Sequence, residues 1–179
     1  YYITRSIQGK MFRKPRTMDA GEEPIYYRDG LYQSEMPCFV CESPIDAISV
    51  MAAGPYPAIA GGGTGVRKLL AQIDEKPPQC PLILCFDADD AGRKAAENLG
   101  RELMTRRISF SFADFDVSVY PENRQKDAND YFLSNPKAFA QQLAQNAESL
   151  RRSSEAVQNE AHNQNEACTG AYRLSGFLD

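Results

Sequence analysis

Along the middle of the chain, short apolar runs bounded by turn residues alternate with longer stretches of helical period. CFVCE (38–42) is the first such run, and Pro44 can occupy the first turn of a helix over PIDAISVMAA. PAIAG (57–61) predicts a second strand, and Gly61-Gly62-Gly63 leads through Thr64 into a helical VRKLLAQI. PLILCFD (81–87) predicts a third strand, followed by a long helix from about Ala91 to Thr105. ISFSFADFDVSVY (108–120) alternates in polarity and predicts a fourth strand with a hairpin arm. A last helix is expected from Pro136 to Leu150. Strands alternating with helices of this length predict an α/β fold, with a mostly parallel sheet flanked by helices on both faces.

The flanks differ from this centre. In residues 1–35, YYITRSI and KMFRKP are strand candidates around a Gln8-Gly9 turn, and PIYYRDGLY holds a further strand broken at Asp29-Gly30. These predict a small β-rich N-terminal subdomain. Residues 151–179 are rich in Gln, Asn, Glu and Ser, and are expected to form a weakly ordered polar tail or linker. The division is therefore 1–35, 36–150 and 151–179.

Composition narrows the class. The 179 residues are 42% hydrophobic and 25% charged, with a net charge of -4. No run of about 18 apolar residues exists to cross a membrane, and no basic-then-apolar leader opens the chain, so a cytoplasmic protein is expected. A chain opening on Tyr1 is expected to be a piece of a longer protein. The acidic balance argues against a protein coated in nucleic acid, but the charge is unevenly placed. Arg5, Lys10, Arg13, Lys14 and Arg16 form a basic N-terminal cluster, a candidate for template or nucleotide phosphates. Tyr1, Tyr2 and Phe12 are placed with core aromatics rather than base-stacking ones. Five cysteines, an odd number, show no disulfide framework. Cys38 and Cys41 form a CxxC, but three residues apart on a strand they face opposite sides, and no second pair completes a zinc site.

The chemistry gathers in the acids. Ligands of parallel sheets sit at the carboxyl ends of the strands, where Glu42, Gly61 to Gly63 and Asp87 all fall. Asp87 and Asp89 are spaced to share one side of the chain. Two such carboxylates are costly unless a cation sits between them, and a hard divalent ion takes carboxylate oxygens. Asp46, four residues after Glu42, is expected on the same helical face. KDANDYF (126–132) adds Asp127 and Asp130, with Tyr131 and Phe132 packed beneath the KDAND loop. Gly63 and Thr64 at a helix start are suited to a phosphate.

The ordered set ESPIDA, a strand ending GGGT, FDADDAGR and KDANDYF resembles the toprim domain shared by primases, topoisomerases and some nucleases. Over about residues 36–134 it is most similar to primases of bacterial, phage and mobile-element type. The resemblance implies Glu42 as the catalytic glutamate, Asp87, Asp89 and Asp127 as metal ligands, and Asp46 and Asp130 as supporting acids. It aligns Gly63 and Thr64 with the glycine turn and Lys126 with triphosphate oxygens. Whether Glu42 relays a proton or holds a second metal through water stays open. The cofactor implied is Mg²⁺, with Mn²⁺ substituting. The function implied is synthesis of short RNA primers on single-stranded DNA from ribonucleoside triphosphates, beside a replicative helicase. Ser43-Pro44 after the glutamate is reminiscent of type IA topoisomerases. Those enzymes, however, place a lysine where this chain has Ile45 or Asp46, and an acid where it has Ala91. A toprim nuclease or DNA-breaking enzyme, and a non-catalytic DNA- or nucleotide-binding module, are the alternatives.

Overall fold

The computed structural model describes residues 4–5, 12–13, 25–33, 35–61, 65–120 and 126–153. Four parallel strands make its centre: β3 (Cys38–Cys41), β4 (Ala58–Ala60), β5 (Leu82–Cys85) and β6 (Phe110–Phe112), in the order β4-β3-β5-β6. Two short antiparallel strands precede them, β1 (Thr4–Arg5) and β2 (Phe12–Arg13). The helices are α1 (Pro44–Ala53), α2 (Gly65–Glu75), α3 (Asp90–Thr105), α4 (Ala128–Ser134) and α5, described over 136–153.

Every residue of β3, β4 and β5 is buried, which is why these runs are continuously apolar rather than alternating. The two-residue period still sorts them. Phe39, Cys41, Ala58, Ala60, Ile83 and Cys85 pack with residues of α1, α4 and α5, including Val50, Tyr131, Phe139 and Leu143. Cys38, Val40, Ile59, Leu82 and Leu84 pack on the other face with Leu69 and Ile73 of α2 and Leu99 and Leu103 of α3. Each large side chain so buried contributes about 1.5–3 kcal/mol. Cys38 and Cys41 do take opposite faces, as strand geometry requires.

This sorting creates a crevice. The helix after β3 (α1) lies on one face and the helix after β5 (α3) on the other, while β3 and β5 are neighbours. Between their carboxyl ends, the outgoing chains part to opposite sides. That is where ligands bind in open parallel sheets.

Three sequence expectations are corrected. PIYYRDGLY forms no strand: Tyr26 makes a single antiparallel bridge to Ala60, and the chain then curls through Tyr27 (φ 51°) into a 3-10 turn, Arg28–Leu31. The alternating run after Phe112 forms no hairpin arm. Phe115 turns inward to ring contacts with Tyr131 and Phe139, and a 3-10 turn follows at Val117–Val119. Asn146 of α5 exchanges hydrogen bonds with the Asp114 backbone at 2.7 and 2.8 Å, supplying the partners a hairpin would have given. KDAND is a helix start, not a loop, since Asp127 caps α4 and accepts the Asp130 amide at 2.7 Å. Tyr131 is buried in that helix. The Gln8-Gly9 turn and residues 154–179 of the predicted tail lie outside the described residues.

Candidate metal centre

Three loops bring acids to the β3–β5 crevice, and each also starts a helix. Glu42 directly follows β3, and the next residue, Ser43, caps α1. The DxD lies just beyond β5, which stops at Cys85, so the two aspartates sit in a turn rather than on a strand. Asp89 caps α3, its carboxylate accepting the Gly92 amide at 2.9 Å. Asp127 caps α4. Carboxylates suit these places because helix N-termini expose unpaired N–H groups and the positive end of the dipole.

Hydrogen bonds across long sequence distances lock the loops together. The Asp87 amide donates to Glu42 Oε1 at 3.2 Å. The Ala88 amide donates to the Lys126 carbonyl at 2.7 Å, drawing the α4 loop to the DxD turn. The Asn129 amide donates to Asp46 Oδ1 at 3.1 Å, fixing α4 to α1. Gly92 admits no side chain: a Cβ there would lie 2.2 Å from the Asp87 carbonyl oxygen.

Electrostatics record the crowding. Burial first, then the charges of Glu42, Asp46, Asp127 and Asp89, pushes the Asp87 carboxyl up to about 7 from an ordinary 3.8. Burial likewise raises Glu42, against the lowering effect of the Asp87 N–H and with Asp89 and Asp46 adding to the rise. Among the described residues no three acids, cysteines or histidines are grouped so that they could hold a metal ion as they stand. The donors nonetheless fit a hard divalent cation. They are all carboxylate oxygens, mutually repelling, and Mg²⁺ keeps several waters while taking only one or two carboxylates directly.

The other predicted residues fall as follows. Asp46 is buried and turned to Asn129 and to Ser43, whose hydroxyl bonds it at 2.5 Å, rather than standing on one helical face with Glu42, which precedes the helix. Asp130 Oδ2 accepts the Lys126 amide at 3.3 Å. The Lys126 side chain is exposed beside this rim. Arg5 and Arg13 lie on the paired strands β1 and β2, while Lys10, Lys14, Gly63 and Thr64 lie outside the described residues. Sequence reasoning missed Asn129 and Ser49, whose side chains meet at 3.2 Å behind Asp46. The Asp-x-x-Asp spacing at 127–130, an N-cap signature, was the available signal. The CxxC is no disulfide: Cys38 and Cys41 are free buried thiols, and a hydrogen bond with Cys85, its register partner, followed by burial, holds the Cys41 thiol well above its ordinary range.

Residues 39–132, just over half of the chain, match the family described as Toprim-like. The chain belongs to the Toprim-like family. A DNA primase from Campylobacter jejuni is 29% identical to it over 114 residues, 59% of this chain and 18% of that protein. With that relative, this toprim domain is of the primase type, though it spans about a fifth of the primase's length. Among solved structures, the primase fragment of the bacteriophage T7 primase-helicase protein is 27% identical with a TM-score of 0.47. That match covers 62% of this chain and 44% of the other. T7 primase domains bound to an RNA/DNA hybrid and dTTP, with the T7 lagging-strand polymerase, match at 26% identity and a TM-score of 0.46. Here 60% of this chain and 53% of that one are covered. Among the described residues of the toprim chain, no helix is long and apolar enough to cross a membrane.

Proposed function

We propose that residues 36–150 are the catalytic unit of a DNA primase, joining ribonucleotides into short primers on single-stranded DNA in a metal-dependent reaction. The observation carrying this is Asp87, held against Glu42 by a backbone bond and raised by burial and by the crowding of Glu42, Asp46, Asp127 and Asp89. In this reading Glu42, Asp87, Asp89 and Asp127 hold Mg²⁺, or Mn²⁺ in its place, with Asp130 as a supporting acid. Divalent ions, when bound, activate a 3′-hydroxyl and stabilise the departing pyrophosphate.

The chain's own residues do the rest. Glu42, its carboxyl raised and oriented by the Asp87 amide, accepts the hydroxyl proton or orients water beside the rim. Asp46 supports the site from behind by fixing α4, and so the Asp127 cap, to α1. Lys126, with Gly63 and Thr64, receives triphosphate oxygens, and Arg5, Lys10, Arg13 and Lys14 engage template phosphates without reading sequence. Residues 1–35 serve as the lead-in subdomain and 151–179 as a linker. The whole system works in the cytoplasm beside a replicative helicase.

Two measurements test this. With single-stranded templates, labelled ribonucleoside triphosphates and Mg²⁺ or Mn²⁺, short oligoribonucleotides are expected. Cleavage of the template instead would make the protein a toprim nuclease. Independently of turnover, Mn²⁺ should raise the melting temperature of the wild type but not of an Asp87→Asn/Asp89→Asn variant. Salt-sensitive DNA binding with neither turnover nor a metal response would leave a binding module.

A further inference from the structure

A second feature adjoins the acidic rim. A cavity of about 420 Å³ opens between α3 and the chain leaving β6, within the size range of small-molecule sites. Its walls are aromatic: Phe86, Phe112, Phe115 and Tyr131. Asp87 and Gly92 belong to it as well as to the rim, so the apolar slot and the carboxylates are one continuous surface. Along α3 it runs from Gly92 to Glu97, about 7.5 Å of helix.

Phe112 explains what such a slot can hold. It is 50% exposed on the outermost strand, yet its ring is held. One edge meets Phe110 at 5.6 Å and 90°, and the ring lies close above Gly100, where a Cβ would come within 3.2 Å of it. A half-exposed aromatic fixed in this way offers a ready platform for a flat partner. At the mouth, the exposed Arg93 guanidinium is steadied by the Ala88 carbonyl at 2.8 Å, while exposed Glu97 offers an acceptor.

A ligand matching this surface has a polyanionic end suited to a metal-loaded carboxylate rim and a flat aromatic end suited to the slot. We propose that the cavity holds the base of a nucleotide whose phosphates reach the acidic rim. This rests on the nucleotidyl-transfer function proposed above. Stacking on Phe112 is tolerant of base identity, because every base presents a π-face. Glu97 adds a preference for bases with an exposed N–H donor.

The test compares ATP with inorganic tripolyphosphate, which carries the phosphates without a base, by titration calorimetry in saturating Mn²⁺. ATP is expected to bind the wild type at least tenfold more tightly than tripolyphosphate. Phe112→Ala, at an exposed position, and Ala96→Leu, which fills the cavity, should each erase that advantage. Neither should change tripolyphosphate affinity or the Mn²⁺-induced rise in melting temperature. Should Ala96→Leu fail to fold, Val117→Ser at the exposed mouth serves in its place. A wild type that binds neither Mn²⁺ nor tripolyphosphate overturns the catalytic proposal along with this one. One that binds both, but ATP no better than tripolyphosphate, overturns the base site alone. A change of oligomeric state in Phe112→Ala, with ATP affinity intact, would give this face to a second copy of the chain.

Discussion

The carboxylate of Asp46 receives the backbone N–H of Asn129, 83 residues away in sequence, at 3.1 Å. The bond is part-buried, with Asp46 itself buried, and joins two helix starts, α1 and α4, that carry the flanks of the acidic rim. Hydrogen bonds to charged groups are worth about 1.5–3 kcal/mol. Asp46→Ala should therefore lower the melting temperature by about 3–12 °C, from roughly 2–4 °C per kcal/mol in a chain of this size. Asp46→Asn keeps an acceptor and should lose less than half as much. Equal, negligible losses in calorimetry would show that the bond does not hold the two helices together.

Asp87→Asn should separate stability from metal response. Removing a negative charge from among Glu42, Asp46, Asp89 and Asp127 relieves repulsion, so the metal-free variant should gain about 0.5–2 kcal/mol at pH 8. Its melting temperature should then be insensitive to Mn²⁺. Wild type at a hundredfold excess of ion over Kd should gain about 2.7 kcal/mol. Differential scanning fluorimetry of the two proteins with and without Mn²⁺ decides it; a metal-responsive variant would remove Asp87 from the site.

The same residue predicts a pH dependence. Its carboxyl stands at about 7 in the folded protein against an ordinary 3.8, so between those values the folded state retains a proton that the unfolded chain has lost. Metal-free stability must then fall as pH rises through this window and level off above it. Melting should be higher at pH 5 than at pH 8, with the difference shrinking in Asp87→Asn. The Mn²⁺-induced shift should run the opposite way, growing as pH passes about 7, because the ion competes with the proton. A profile flat in both states would contradict the crowding.

Gly92→Ala tests the turn itself. A methyl group 2.2 Å from the Asp87 carbonyl cannot be accommodated without moving the backbone between β5 and α3. A loss of about 3 kcal/mol or more is expected, the scale of other severe single substitutions, together with a weakened Mn²⁺ response. A variant as stable as wild type would mean that the turn yields cheaply.

Much of this was legible in the sequence because the relevant signals are local. The runs 38–42, 57–61 and 81–87 are apolar through their length since both faces of each strand are covered, and they were found nearly to the residue. The sequence places Glu42 and Asp87 just past the carboxyl ends of their strands, and they do lie there; what they bind is the proposal above. What escaped was decided by distant partners. Residues 108–120 alternate as a hairpin would, but Phe115 finds a better place against Tyr131 and Phe139. Asp46 looks like one more acid until Asn129 arrives to claim it. The short helix α4 was hidden because Asp127, read only as a ligand, is also its cap.

The parting of α1 and α3 to opposite sides of neighbouring strands has a lasting effect on how this protein can vary. The Glu42 and Asp87 loops each run from a buried strand to a helix packed on the sheet, so new chemistry can be tried by altering a few turn residues while the sheet beneath keeps its composition. Diversification of such a scaffold is expected to accumulate in the stretches after Cys41, after Cys85 and before Ala128, and to spare the strands that carry them.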